Sequence, residues 1–187
     1  MTTVYVIGSL RNPRITEVGN TLRAAGYDAF DEWHAGGPEA DDEWRRYEND
    51  RGRHYKEALA GFHARNIFEF DLRHLNRAQA GVLVMPAGRS GHLELGYLIG
   101  QGKLGYILFD EVPERLDIMH NFATEVCFSV EELMAALGAP ERPSNGFEQR
   151  ARDVGPGGWR VLKGDELDAL VEEQKRSYRN APWNWDR

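Results

Sequence analysis

The sequence predicts an α/β fold: a doubly wound, five-stranded parallel sheet with a helical insertion and a C-terminal extension. Three observations predict it. Short apolar runs alternate with segments of helical character along the first 138 residues, the mark of a parallel sheet covered on both faces. The run Gly81-Val82-Leu83-Val84-Met85 is continuously apolar, as a strand buried on both faces must be. A glycine-rich loop then leads from that run into a helix.

Taken in order, strands are predicted at residues 3 to 8, 27 to 31, 81 to 85, 105 to 109 and 124 to 128, and helices at 15 to 25, 66 to 79, 91 to 101 and 129 to 137. The last helix opens on Ser129-Val130-Glu131-Glu132, a capping-box pattern, and stops at Gly138. Right-handed crossovers give a flavodoxin-like, Rossmann-like strand order, 2-1-3-4-5. That order sets the loops after strands one and three side by side, bringing the Gly8 to Arg14 stretch next to Pro86 to Glu94.

Between strands two and three, residues 34 to 65 form an insertion. Gly36-Gly37-Pro38 breaks the chain, and Asp41-Asp42-Glu43-Trp44-Arg45-Arg46-Tyr47 and His54-Tyr55-Lys56 then mix charge with aromatics. One or two polar helices rising from the end of strand two are expected, either as a lid above the crevice or as a solvated excursion. Beyond Gly138, Pro140, Pro143, Ser144 and Asn145 mark a linker. The extension to residue 187 carries Trp159, Leu167, Leu170, Val171, Trp183 and Trp185, whose apolar surface calls for burial on the body or on another subunit. The domain reading is therefore 1 to 138, then 139 to 187.

Composition narrows the classes. At 187 residues the chain suits one full core plus an appendage, and its net charge of −7 repels polynucleotides and anionic membranes. A mononucleotide needs only a local cluster such as Arg11, Arg14 or Arg89, each of which is equally an ordinary surface arginine. The single cysteine, Cys127, excludes an internal disulfide and reads as a small buried residue on the last strand. No apolar run spans a bilayer and the first residues enter a strand directly, so a cytoplasmic protein is expected.

Two acids stand out. A helix from residue 91 puts Glu94 in its first turn, between Leu93, Tyr97 and Leu98 on the apolar side, where it either serves a reaction or complements the helix dipole. In the preceding helix Asp71 lies inside the apolar arc of Ile67, Phe68, Leu72, Leu75 and Ala78, either for chemistry or to bond a backbone amide. Two such acids flanking one strand read as a pair sharing a site. Gly88 and Gly91 are expected to supply backbone angles closed to other residues, and Ser90 to cap the helix or to bond a phosphate or sugar.

Val4-Tyr5-Val6-Ile7-Gly8-Ser9-Leu10, Asp71-Leu72-x-x-Leu75 and Ser90-Gly91-x-x-Glu94-Leu95-Gly96 together resemble the nucleoside 2-deoxyribosyltransferase superfamily, which includes nucleoside transferases and nucleoside 5'-monophosphate N-hydrolases. The spacing from Pro86 to Glu94, with His92 two residues ahead of the glutamate, is most similar to CMP N-glycosidases. The resemblance covers residues 3 to 138 with an interruption. Gly81 departs from it, since the family has an aspartate there that anchors a loop.

The resemblance implies N-glycosidic cleavage with retention. Glu94 would capture the anomeric carbon as an ester, and Asp71 would protonate the leaving base or orient Glu94 and the sugar hydroxyls. Tyr5 would hold Glu94 through its phenol, or else be a strand-core tyrosine. Gly8, Ser9, Arg11, Gly88, Arg89, Ser90 and Gly91 would surround the sugar and any phosphate, with His92 reaching the site or supporting the loop. A homodimer or larger homo-oligomer is expected on the same ground. Two rival classes are an NAD-cleaving TIR-like glycohydrolase and a non-catalytic nucleotide-binding module.

No cofactor or metal is expected. His92-Leu93-Glu94 lacks the Pro-Cys-x-x-Cys partner of zinc deaminases, and no Gly-x-Gly-x-x-Gly follows the first strand. Gly88-Arg89-Ser90-Gly91 is one residue short of a nucleophile elbow.

Overall fold

The computed structural model describes residues 1 to 138; the linker and extension, with every expectation placed on them, lie outside the described residues. Five strands, β1 (Thr3–Ile7), β2 (Asp28–Phe30), β3 (Ala80–Val84), β4 (Leu104–Leu108) and β5 (Glu125–Cys127), form one all-parallel sheet in the order β2-β1-β3-β4-β5. The chain is thus α/β, with the predicted order.

The described residues hold six α-helices, α1 (Arg14–Ala24), α2 (Ala40–Asp50), α3 (Tyr55–Leu59), α4 (Phe62–Arg77), α5 (Arg89–Gly100) and α6 (Val130–Gly138), of which α1, α4, α5 and α6 pack on the sheet. Alternation along each strand divides the core in two. Val4, Val6, Val82, Val84, Tyr106 and Leu108 meet Ile15, Val18 and Leu22 of α1 and Leu133 of α6. On the opposite side Tyr5, Ile7, Leu83 and Ile107 meet Leu75 of α4 and Leu95, Leu98 and Ile99 of α5. Cys127 is fully buried in the first cluster.

The start of α6 follows its sequence signature with one shift. Ser129 Oγ accepts from the Glu132 amide at 3.1 Å, while the Glu132 carboxylate accepts from the amide of Phe128, one residue further back, at 2.7 Å. At Gly81 a Cβ would lie 2.4 Å from Leu98 Cδ1 and 3.2 Å from Ile7 Cδ1. A side chain here would have to displace the ends of Leu98 and Ile7 between β3 and α5.

The 34 to 65 segment holds two short helices, α2 and α3, as its composition implied. A 3-10 turn (Glu32–Gly36) precedes α2 and α3, and α4 begins at Phe62, four residues before the expected start. Glu48 of α2 is 3% exposed, accepting from Trp44 Nε1 at 3.2 Å and Arg53 Nη1 at 3.0 Å, so a charge pair seals the inner side of this excursion. Among the described residues no helix is long and apolar enough to cross a membrane.

Candidate active site

The loop after β1 is built around a residue that sequence reasoning passed over. Asn12 is buried; its Nδ2 donates to the carbonyls of Val84 at 3.2 Å and Pro86 at 3.3 Å, and its Oδ1 accepts from the Arg14 amide at 3.0 Å. One side chain therefore ties the end of β3 to the loop after β1 and starts α1. The Asn-Pro pair was the available signal, since asparagine before proline favours turns. Ser9 shapes the same loop, its carbonyl accepting from the Asn12 amide at 2.9 Å and its hydroxyl from the Arg11 amide at 3.2 Å. Gly8 sits tightly: a Cβ would lie 2.3 Å from Ile15 Cδ1 and 3.3 Å from the Val84 carbonyl oxygen, so Ile15 would have to move.

The loop after β3 corrects two expectations. Gly88 is the N-cap of α5 with extended backbone (φ −82°, ψ −177°), and Gly91 lies within the helix, so neither takes a left-handed conformation. Gly91 is needed because a Cβ would lie 2.9 Å from Leu83 Cδ1 and 3.2 Å from Ile7 Cγ2, where α5 rests on the sheet. Ser90 is not the cap; it is exposed at the second helical position, and no side chain caps this helix. His92 supports the loop, with Nδ1 2.9 Å from the Gly88 carbonyl. Its ring also stacks against His120 at 6.3 Å. His120 comes from an unanticipated 3-10 turn, Ile118–Phe122.

Because α5 begins at Arg89, Glu94 is its sixth residue and falls outside the first turn, which contains no acid. The dipole explanation is thereby removed, since that interaction fades within one turn. The buried stripe of α5 is Gly91, Leu95, Leu98 and Ile99, whereas Leu93 (75%) and Tyr97 (40%) are exposed, contrary to the apolar face drawn through them. Glu94 stands at the edge of that stripe, half-buried.

Asp71 faces it from the middle of α4, where the helix's own carbonyls already take the backbone amides. Its partner is a phenol: Tyr5 donates to Asp71 Oδ1 at 3.2 Å. Tyr5 was expected to bond Glu94; it lies close enough to feel both carboxylates, but its bond goes to Asp71. Ile67 and Phe68, placed on the apolar arc with Asp71, are exposed; Leu75 and Ala78 are buried as expected.

The electrostatics follow from this grouping. Burial, reinforced by the neighbouring Asp71, pushes the Glu94 carboxyl up to about 7. Burial also raises Asp71, opposed by the Tyr5 hydrogen bond and by His74. Tyr5 is raised by burial and by both acids, so it stays a neutral donor. Two carboxyls sharing a poorly solvated site resist ionising together, so each raises the other's proton affinity, which is what paired acid and nucleophile roles require.

The cationic residues are less free than the sequence implied. Arg11 Nη2 pairs with Asp42 of α2 at 2.6 Å, which links the excursion to the loop after β1, and Arg14 pairs with Asp110. Arg89 is exposed and has no ion pair among the described residues. Trp33, also unanticipated, pins the start of the excursion by donating from Nε1 to the Val6 carbonyl at 2.8 Å. Among the described residues no three His, Cys, Asp or Glu side chains gather as metal ligands.

No protein-family model matches the chain, and no curated protein matches it.

Proposed function

We propose that this protein is a retaining N-glycosidase of the nucleoside 2-deoxyribosyltransferase type, acting on a nucleoside or nucleoside 5'-monophosphate. The observation that carries the reading is the Tyr5–Asp71–Glu94 cluster: two half-buried acids of raised proton affinity, one anchored by a phenol, beside two loops clamped together by Asn12. A structural ion pair would place a cation there, and a simple binder of phosphate gains nothing from two acids.

In the productive protonation state Glu94 is the carboxylate and Asp71 the acid. The C1'–N bond breaks with its electron pair leaving on the base, which takes the Asp71 proton, while a Glu94 oxygen closes on C1' as an ester. Water attacks C1' next, giving its proton to Asp71 and returning Glu94 as a carboxylate. In a transferase, a second base takes the place of water. Arg89, and Arg11 once released from Asp42, supply charge for a 5'-phosphate. Such mononucleotides are met in the cytoplasm.

Helices α4 and α5, which carry the two acids, also leave Phe62 (76% exposed), Ile67, Phe68, Leu93 (75%) and Tyr97 uncovered. Exposed aromatic and aliphatic side chains on the helices that bear the acids favour a second copy as cover, and a symmetric homodimer is the simplest arrangement. Light scattering at micromolar concentration tests it: a monomer rejects the dimer.

The function is tested by incubating the protein with common nucleosides, their monophosphates and NAD, and separating the freed base by chromatography. Base release from a nucleoside or monophosphate supports the reading. Cleavage of NAD alone assigns a TIR-like glycohydrolase, and binding without cleavage assigns a nucleotide-binding module.

A further inference from the structure

The exposed apolar residues of α4 do not all lie on one side. At about 100° per residue, Phe68 stands only about 20° from Leu75, which is packed against the sheet, whereas Phe62, Ile67 and Phe70 stand about 80° or more away. Phe68 is turned from Leu75 toward Asn76, the residue that meets α5 by accepting from Tyr97 Oη at 2.8 Å and Gln101 Nε2 at 2.9 Å. It therefore faces the seam between the two helices. Ala64 one turn before it and Leu72 one turn after it are half-buried on the same stripe, yet Phe68 is 64% exposed. The inward side of α4 has an opening, and an aromatic ring stands in it. That opening lies above the acids. The chain leaves α4 at the starting edge of the sheet, where the Gln79 amide donates to the Thr3 carbonyl at 2.9 Å, so the earlier turns of α4 lie toward the edge where the loops after β1 and β3 emerge. α5 starts at that same edge and runs the same way. One turn nearer the loops than Asp71 comes Phe68; one turn nearer than Glu94 come Ser90, which is exposed, and Gly91, which has no side chain. A flat ring stands over one acid and small groups over the other.

We propose that Phe68 is a specificity-determining residue of this site: its ring stacks on the planar base of the substrate, beside Asp71, and so sets the sugar over Glu94. The proposal rests on the glycosidase reading and deepens it by giving each half of the substrate its own wall. An aromatic face accepts a planar heterocycle in an offset stack, and the free face of Phe68 is the one such surface that α4 turns toward α5. The base then leaves along the wall that carries the acid protonating it. On the other wall, Ser90 and Gly91 leave room for a sugar to lie over Glu94. Phe62 and Ile67, turned off this stripe, remain for a second copy to cover.

Two measurements on the full chain test it, one of them without turnover. In Glu94→Gln protein with labelled phenylalanine rings, the Phe68 NMR signals, identified by their loss in Phe68→Leu, are followed as each common nucleoside and nucleoside 5'-monophosphate is added. At least one of these is expected to move the Phe68 ring protons upfield, the ring-current effect of a stacked base, while the Phe62 signals stay in place. Binding that leaves Phe68 unmoved, or no binding by any of them at millimolar concentration, overturns the proposal. On the substrate that the wild type cleaves, Phe68→Ala is expected to raise KM about tenfold or more, the scale of one base–aromatic stack, and Phe68→Trp to keep it near the wild-type value. Phe68 is exposed, so these variants keep the fold. A Phe68→Ala KM within about twofold of the wild type overturns the proposal, as does full recovery by Phe68→Leu, which would assign the residue to apolar packing alone. A wild type that cleaves nothing refutes the glycosidase, while the ring signals still decide whether Phe68 holds a base.

Discussion

The two faces of the sheet are made from alternate residues of the same strands, yet they close differently. On the α1 and α6 face the valines of β1 and β3 meet Ile15, Val18, Leu22 and Leu133, each fully buried. On the α4 and α5 face the same strands present Tyr5 and Ile7, and the helices above them bring Asp71 and Glu94 into partly dry surroundings. There the helices also leave large apolar side chains uncovered. One face closes on apolar side chains throughout, while the other, beside its own apolar core, holds two poorly solvated acids. A sheet can bear this because a strand's register sends each residue to one face only, so chemistry on one side leaves packing on the other untouched.

The sharpest test of that division is Glu94→Ala. On the glycosidase reading it should cut base release by roughly 10²- to 10⁴-fold or more, with unfolding as cooperative as in the wild type. Near-normal release by a folded variant would remove Glu94 from the chemistry. Ile15→Ala is the counterpart on the closed face. Truncating this fully buried side chain should cost about 2 to 5 kcal/mol of stability in urea unfolding, while the folded fraction keeps its turnover. Loss of turnover in a folded Ile15→Ala protein would show that the two faces are not independent.

The third prediction follows from the raised Glu94. A carboxyl with a folded value near 7 and an ordinary unfolded value near 4.5 holds its proton longer when folded. The folded state therefore binds more protons in that interval, and stability falls as pH rises from about 4.5 through about 7, by at most about 3 kcal/mol. Glu94→Gln cannot ionise. Its melting temperature should match the wild type near pH 4 and exceed it at pH 8; a constant difference across that range would deny the raised proton affinity. On the same ground the wild-type rate should rise through about pH 7, as the nucleophile ionises.

Much of this division is legible in the sequence. The strand order, the side-by-side loops and both acids follow from apolar runs, crossover handedness and two carboxylates out of place in helical patterns. Helix starts are less legible: α5 opens at Arg89 on a glycine N-cap with no side-chain signal, and that shift of two residues moves Glu94 out of the first turn. Partners are harder still. Tyr5 points to the correct side, but whether its bond goes to Asp71 or Glu94 depends on packing across 66 residues of chain. Asn12 acts through contacts between elements: the Asn-Pro pair marks a turn, but not the carbonyls of Val84 and Pro86 that its side chain reaches. The exposure of Ile67, Phe68, Leu93 and Tyr97 also escapes periodicity, because an apolar stripe looks the same whether its cover is the chain's own core or another molecule.

The smallest expected effect concerns the seam between the excursion and the site. Arg11 and Asp42 form an ion pair with half-exposed side chains (53% and 31%), a setting in which a pair is worth roughly 0 to 1 kcal/mol. Asp42→Asn should therefore leave stability within about 1 kcal/mol of the wild type. Its effect on binding is larger in principle, because in the free protein any 5'-phosphate must compete with the Asp42 carboxylate for Arg11. Arg45 also reaches Asp42, at 2.9 Å, so the carboxylate is held even as Arg11 leaves it, and exchange of Arg11 from one anion to another costs little. If Arg11 reads a phosphate, Asp42→Asn should lower KM for a monophosphate and leave KM for the matching nucleoside unchanged, while Arg11→Ala raises the first alone. Equal changes on both substrates would assign the pair to holding α2 in place and leave Arg89 to meet the phosphate.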